Sequence, residues 1–120
     1  MSANIFHNLQ QAQRAVAAAV EDGRPITLLT APGAAAYGGP GFFLAMVEAA
    51  RECHPEAMVT AILDCGDDAA LAQLALRLGW RHVVLAGPAA VREKLQQIAE
   101  HHGGVVMAQP PPAMDPGADQ

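Results

Sequence analysis

The densest group of reactive side chains in this sequence is Asp64-Cys65-Gly66-Asp67-Asp68, three carboxylates and a thiol within five residues. Asp64 follows an apolar run, and a carboxylate at the end of a buried strand can hold a ribose hydroxyl, a metal-bound water or a substrate amine. Asp67 and Asp68 have a simpler use. At the start of a helix, acids accept hydrogen bonds from unpaired backbone N–H groups and complement the helix dipole. Cys65 beside that helix start would be a nucleophile only as a thiolate with a base at hand. No histidine is tied to it by spacing, so inert packing is the expectation.

A second candidate lies upstream. Ala31–Gly41 reads APGAAAYGGPG and holds Gly33, Gly38, Gly39, Gly41 and the only tyrosine. Glycines ahead of a helix let backbone N–H groups approach an anion closely. Gly39-Pro40-Gly41 opens like a dinucleotide fingerprint, but the third glycine is missing. No GK[ST] follows, which excludes a P-loop. Its eleven residues exceed the roughly 2–6 usual for a strand-to-helix connection. The third candidate, Ala86-Gly87-Pro88-Ala89, places glycine at a cap and proline at a first helical position. Thr30, Gly38, Gly39, Gly41, Asp64, Cys65 and Gly87 therefore form the candidate ligand set, for a small anionic or nucleotide-like molecule. No residue is assigned a catalytic role, and no motif specifies a cofactor.

A metal site is not expected. His101 and His102 are adjacent, so on a helix they point about 100° apart. His7, His54 and His82 form no cluster with acids at ligand spacing. Cys53 and Cys65 form neither a CxxC pair nor half of a zinc ribbon.

These loops need elements to hold them. Four apolar runs are bounded by Gly or Pro: Ile26–Thr30, Met58–Leu63, His82–Ala86 and Val105–Ala108. Near-continuous apolar runs of this length suit strands buried on both faces of a parallel sheet. Helical periodicity fills the gaps, over about Ser2–Glu21, Phe42–Cys53, Asp67–Leu78 and Ala89–His102. Strict alternation with short loops demands right-handed crossovers. The expected fold is an α/β single three-layer domain over 1–108, with a four-stranded parallel sheet. A flavodoxin-like, Rossmann-type order 2-1-3-4 is favoured over the sequential order of half a (β/α)₈ barrel. Residues 109–120, QPPPAMDPGADQ, read as a disordered tail.

Composition narrows the classes. With 52% hydrophobic residues and a net charge of −5, the chain is too apolar for intrinsic disorder. Seven Lys+Arg against twelve Asp+Glu, without a basic cluster, argue against nucleic acid and anionic membrane surfaces. No apolar run approaches the roughly 18 residues that span a bilayer, and the N-terminus lacks the pattern of a secretory signal. A cytoplasmic protein is expected. The helices around Phe42–Cys53 and Asp67–Leu78 carry few polar residues, as if covered by a second copy, so a homo-oligomer is expected.

The stretch Ala61–Ala99 resembles two consecutive βα units of a phosphate-binding (β/α)₈ barrel. The resemblance rests on the strand-end acid Asp64, the A-x-x-A-L-R-x-G helix end at Gly79 and the cap at Gly87-Pro88. An aldolase-type Schiff base is not supported, because the single lysine, Lys94, falls mid-helix. With so few paired acid–base residues, a non-enzymatic binding or interaction module is expected. The alternatives are a small enzyme acting on a phosphorylated or carboxylated metabolite at the same rim, and a partner-binding protein without a ligand.

Overall fold

The structure, a computed structural model, describes residues 3–117. In chain order its elements are β1 (Ala3–Phe6), α1 (Leu9–Glu21), β2 (Ile26–Thr30), α2 (Ala35–Gly38), α3 (Pro40–Cys53) and β3 (Val59–Asp64). There follow α4 (Ala69–Leu78), β4 (His82–Val84), α5 (Ala89–Glu100), β5 (Val105–Met107) and β6 (Ala113–Met114).

The four apolar runs each become a strand, but the sheet has six strands, not four. The first addition corrects the expected helix over Ser2–Glu21. Asn8 caps α1, its side chain accepting the Gln11 N–H at 2.9 Å. The Gln11 side chain reaches back to accept the His7 N–H at 2.8 Å. This reciprocal pair fixes the helix start at Leu9 and leaves Ala3–Phe6 free to pair in parallel with β2. The second addition is β6, in the segment expected as a free tail. β6 pairs with β1, the Ala3 N–H donates to Pro112 O at 2.8 Å, and Gln11 Nε2 donates to Gly117 O at 2.8 Å. His7 Nε2 lies 2.7 Å from Asp115 Oδ1, and that contact holds the Asp115 carboxyl below its ordinary range. Ala118, Asp119 and Gln120 lie outside the described residues.

The strand order is β5-β4-β3-β2-β1-β6, every neighbouring pair parallel. Strands β1 to β5 follow one another in sequence, so the favoured 2-1-3-4 order and its Rossmann-like layering do not form. The sequential alternative does. The physical reason lies in how the helices pack. One continuous core joins α1, α3, α4 and α5 to the same side of the sheet through Phe6, Leu28, Leu63, Val83 and Leu85. Ala12, Ala50, Ala72, Ala75 and Ala99 are essentially without solvent contact. Side chains this small let helices lie side by side at close range in one layer. The helix-free face holds a separate cluster of strand residues only, Ala3, Leu29, Ile62 and Val84 with Ile5 and Met107 against them. The domain therefore has two layers, not three.

This alternation decides where Asp64 points. Asp64, Val84 and Met107 are register partners across β3, β4 and β5, and side chains of register partners share a face. Asp64 thus belongs to the helix-free face, at the last position of β3, beside Val84 and Met107 of the strand cluster. Among the described residues, no helix is long and apolar enough to cross a membrane.

Candidate active site at the strand tips

Strand β3 delivers Asp64 almost fully buried, with 6% of its surface exposed. Its N–H donates to Thr30 Oγ1 at 2.9 Å, so the side chain of Thr30, itself without solvent contact, fixes the neighbouring strand end. The carboxylate then gathers two loops. Asp64 Oδ1 accepts the Gly33 N–H at 3.1 Å and the Gly66 N–H at 2.9 Å. Gly66 has φ +59°, a left-handed conformation that favours glycine, and a Cβ there would stand 3.8 Å from Gly33 Cα. Asp64 Oδ2 receives no hydrogen bond among the described residues and keeps contact with solvent. One oxygen is anchored; the other is available.

The third loop joins the same cluster. The Cys65 N–H donates to Val84 O at 2.9 Å and the Ala86 N–H to Gly66 O at 2.7 Å. Arg92, from the first turn of α5, donates through Nη1 to Gly87 O at 2.9 Å and to Leu85 O at 3.3 Å. The guanidinium thus places a positive charge behind Gly87, and the N-terminus of α5 opens with no side-chain cap from Pro88.

The seven candidate ligand residues divide into two groups. Thr30, Asp64, Cys65 and Gly87 come together at the strand tips. Gly38, Gly39 and Gly41 pack elsewhere. Pro40 O accepts the indole N–H of Trp80 at 2.9 Å, and Gly41 faces Leu78 at the end of α4. A Cβ on Gly38 would lie 2.7 Å from the Phe42 ring, and Gly39 turns the chain into α3 at φ +85°. These glycines serve packing and the turn. The partners that Asp64 does use, Gly33 and Gly66, and the loop-binding Arg92 were not in the candidate set. A signal existed: each glycine lies two or three residues beyond a strand end.

Asp68 caps α4 by accepting the Leu71 N–H at 3.1 Å, the structural use expected of it. Cys65 is 2% exposed. Burial, followed by the charges of Asp64 and Asp68, pushes its thiol up to about 12. It is therefore a protonated packing residue at neutral pH. A disulfide-exchange reagent should accordingly titrate one thiol, the exposed Cys53, in the native protein and two after denaturation. The folded chain holds the Cys65 proton where the unfolded chain, titrating near 9, releases it. Stability should therefore fall as the pH rises above 9 towards 12, and urea midpoints across that range would check it. Two native thiols reacting at equal rates would contradict the assignment. Among the described residues, no group of three or more His, Cys, Asp or Glu side chains is arranged to hold a metal ion.

Sequential parallel strands, helices on one face and a carboxylate at a strand tip set the context for comparison with known proteins. Residues 1–100 match the family described as fructose-bisphosphate aldolase class-II. The chain belongs to that family. It is also 30% identical over 95 residues to a curated relative from Cupriavidus necator, "Fructose-bisphosphate aldolase, plasmid". The match covers 79% of this chain and 27% of the relative, so the chain spans about a quarter of the relative's length.

Membership of the aldolase family overturns the expected non-enzymatic module, and favours the enzyme alternative at the same rim. The physical reason for the error is scale. The expectation rests on how few paired acid–base residues this chain has, and a chain a quarter as long as its relative need not hold all those of that relative. The layout of the class-II aldolase family also agrees with the barrel-like reading of Ala61–Ala99, since the sheet is a compatible fragment of such a barrel.

Proposed function

We propose that this chain supplies the Asp64 strand tip of an aldol-cleaving site that acts on a phosphorylated sugar of the fructose-bisphosphate type. The observation that carries this reading is the Asp64 carboxylate, with Oδ1 fixed by the Gly33 and Gly66 amides and Oδ2 left free. Aldol cleavage needs a base for the hydroxyl proton as the adjacent carbon–carbon bond breaks, and an electrophile for the carbonyl that receives the electron pair. Asp64 Oδ2 is suited to the first task. Its orientation is set before substrate arrives, which removes the cost of ordering it in the transition state.

The electrophile is not among the groups this chain places at the rim. Lys94 is exposed along α5, and the Cys65 thiol is protonated. The reading therefore assigns this segment proton transfer and substrate placement, with the carbonyl activated by a group from outside it. The uncapped N-terminus of α5, beside Gly87 and with Arg92 behind it, suits a substrate phosphate.

The test is cleavage of fructose 1,6-bisphosphate to triose phosphates, followed by a coupled dehydrogenase assay, in the wild type and in Asp64→Asn, each supplied with a divalent cation as the outside electrophile. The asparagine keeps an oxygen for the two glycine amides but removes the base. Loss of a general base predicts a fall in kcat of about 10²–10⁴-fold, with the circular dichroism spectrum unchanged. Undetectable turnover in the wild type, or turnover indifferent to Asp64→Asn, would sink the reading.

A further inference from the structure

The opposite end of the sheet carries a second constellation, which the aldol reading does not use. A cavity of about 460 Å³ opens where β3 and β4 begin, and Arg51, Arg81, His82 and Thr60 line it around Trp80. A neighbouring cavity of about 280 Å³ shares Gly79, Trp80 and Arg81 and adds Arg77 and His102. Among the described residues, no carboxylate lines either cavity. The chain as a whole has twelve acids against seven Lys+Arg. Five basic side chains thus meet at one end of an acidic protein with no counter-charge in the lining.

Helix dipoles account for part of this. Arg51 lies in the last turn of α3 and Arg77 in the last turn of α4, where cations complement the carbonyl ends. Arg51 also donates through Nη2 to Val59 O at 3.0 Å. That explanation does not extend to Arg81 and His82, which enter β4 rather than end a helix. The Arg81 guanidinium has no hydrogen-bond partner or ion pair among the described residues. The positive charges of Arg81 and Arg51 act on His82 and, after burial, hold its imidazole below its ordinary value. The three groups therefore converge on one space. Guanidinium forks match the oxygens of phosphate groups in shape and charge, and the volume lies within the range of small-molecule sites.

We propose that this cavity is a binding site for a compact polyvalent phosphate anion, held by Arg81, Arg51 and His82 beside Trp80. It is separate from the strand-tip site. Thr60 is the second residue of β3 and Asp64 its last, four residues or about 13 Å apart along the strand.

The test is isothermal titration calorimetry of the whole chain with inorganic pyrophosphate as the probe. A site that depends on Arg81 is expected, weakening as the ionic strength rises, whatever pyrophosphate binds at the α5 N-terminus. Arg81→Gln removes a charged donor pair from an exposed side chain without a partner, and should weaken binding by about tenfold or more with the fold intact. Arg14→Gln, at a separate cavity beside β1 and β6, should leave it unchanged. Asp64→Asn should bind pyrophosphate as tightly as the wild type, which separates this site from the aldol reading. Absence of binding at millimolar pyrophosphate, equal binding by Arg81→Gln, or loss of binding in Asp64→Asn would each overturn the proposal.

Discussion

Trp80→Ala is expected to destabilise the protein by about 3–5 kcal/mol, the largest effect of any single truncation considered. Trp80 is the bulkiest of the fully buried side chains, with 2% of its surface exposed. Its ring reaches from the start of β4 to the first turn of α3, where the indole N–H donates to Pro40 O at 2.9 Å. Truncation would open a void among groups already held by backbone hydrogen bonds, so little collapse can fill it. It also removes the indole hydrogen bond to the Pro40 carbonyl. Domains of this kind are stable by about 5–15 kcal/mol, so the variant should sit near the edge of folding. Trp80→Phe keeps most of the packing and removes only the donor, which should cost about 0.5–1.5 kcal/mol. Urea denaturation followed by circular dichroism would measure both. A Trp80→Ala midpoint close to wild type would show that this contact is not what holds α3 in place.

Gly104→Ala should cost about 2–3 kcal/mol, at the upper end of ordinary overpacking. The added Cβ would stand 2.7 Å from Arg81 O and 3.4 Å from both Ala99 Cβ and Ala99 O. None of these can yield cheaply. Arg81 O accepts the Val105 N–H at 2.7 Å, and Ala99 O accepts the Gly104 N–H at 2.8 Å. Moving either carbonyl breaks the join between α5, β4 and β5. Gly103→Ala is the informative comparison. It meets open space but has φ +70°, a conformation that costs a side chain only about 1–2 kcal/mol. The same denaturation experiment should therefore rank Gly104→Ala below Gly103→Ala. The reverse order would show that backbone conformation, not the close approach, governs this corner.

Local patterns in the sequence carry most of the elements. Ile26–Thr30 is read at its observed limits, and the other three apolar runs differ from β3, β4 and β5 by one or two residues at an end. β1 is hidden because Ile5, Leu9, Ala12 and Val16 continue a helical repeat that no residue interrupts. Only the Asn8–Gln11 spacing marks the true start. β6, two residues long among prolines, has no periodicity to read. Strand order is harder for a deeper reason. A parallel strand is apolar on both faces whether its helices lie on one side or two, so the runs themselves carry no such information. The small residues Ala12, Ala50, Ala72, Ala75 and Ala99 hold the relevant signal, visible only once their helices are side by side. Asp64 was legible from its place after an apolar run. Its anchoring by Gly33 was not, since the two are 31 positions apart.

The sequential strand order has an implication for how such a chain can be lengthened. β1 already has a neighbour on each side, whereas β5 has β4 on one side and, among the described residues, none on the other. A further strand-and-helix unit can dock beside Val105–Met107 without displacing an existing helix, while the chain itself leaves β5 for β6 beyond β1. In a 2-1-3-4 arrangement the second crossover would have to pass over the first strand before growth resumed. The lateral, one-sided design thus lets a strand be added at the β5 flank while the geometry around Asp64 stays as it is.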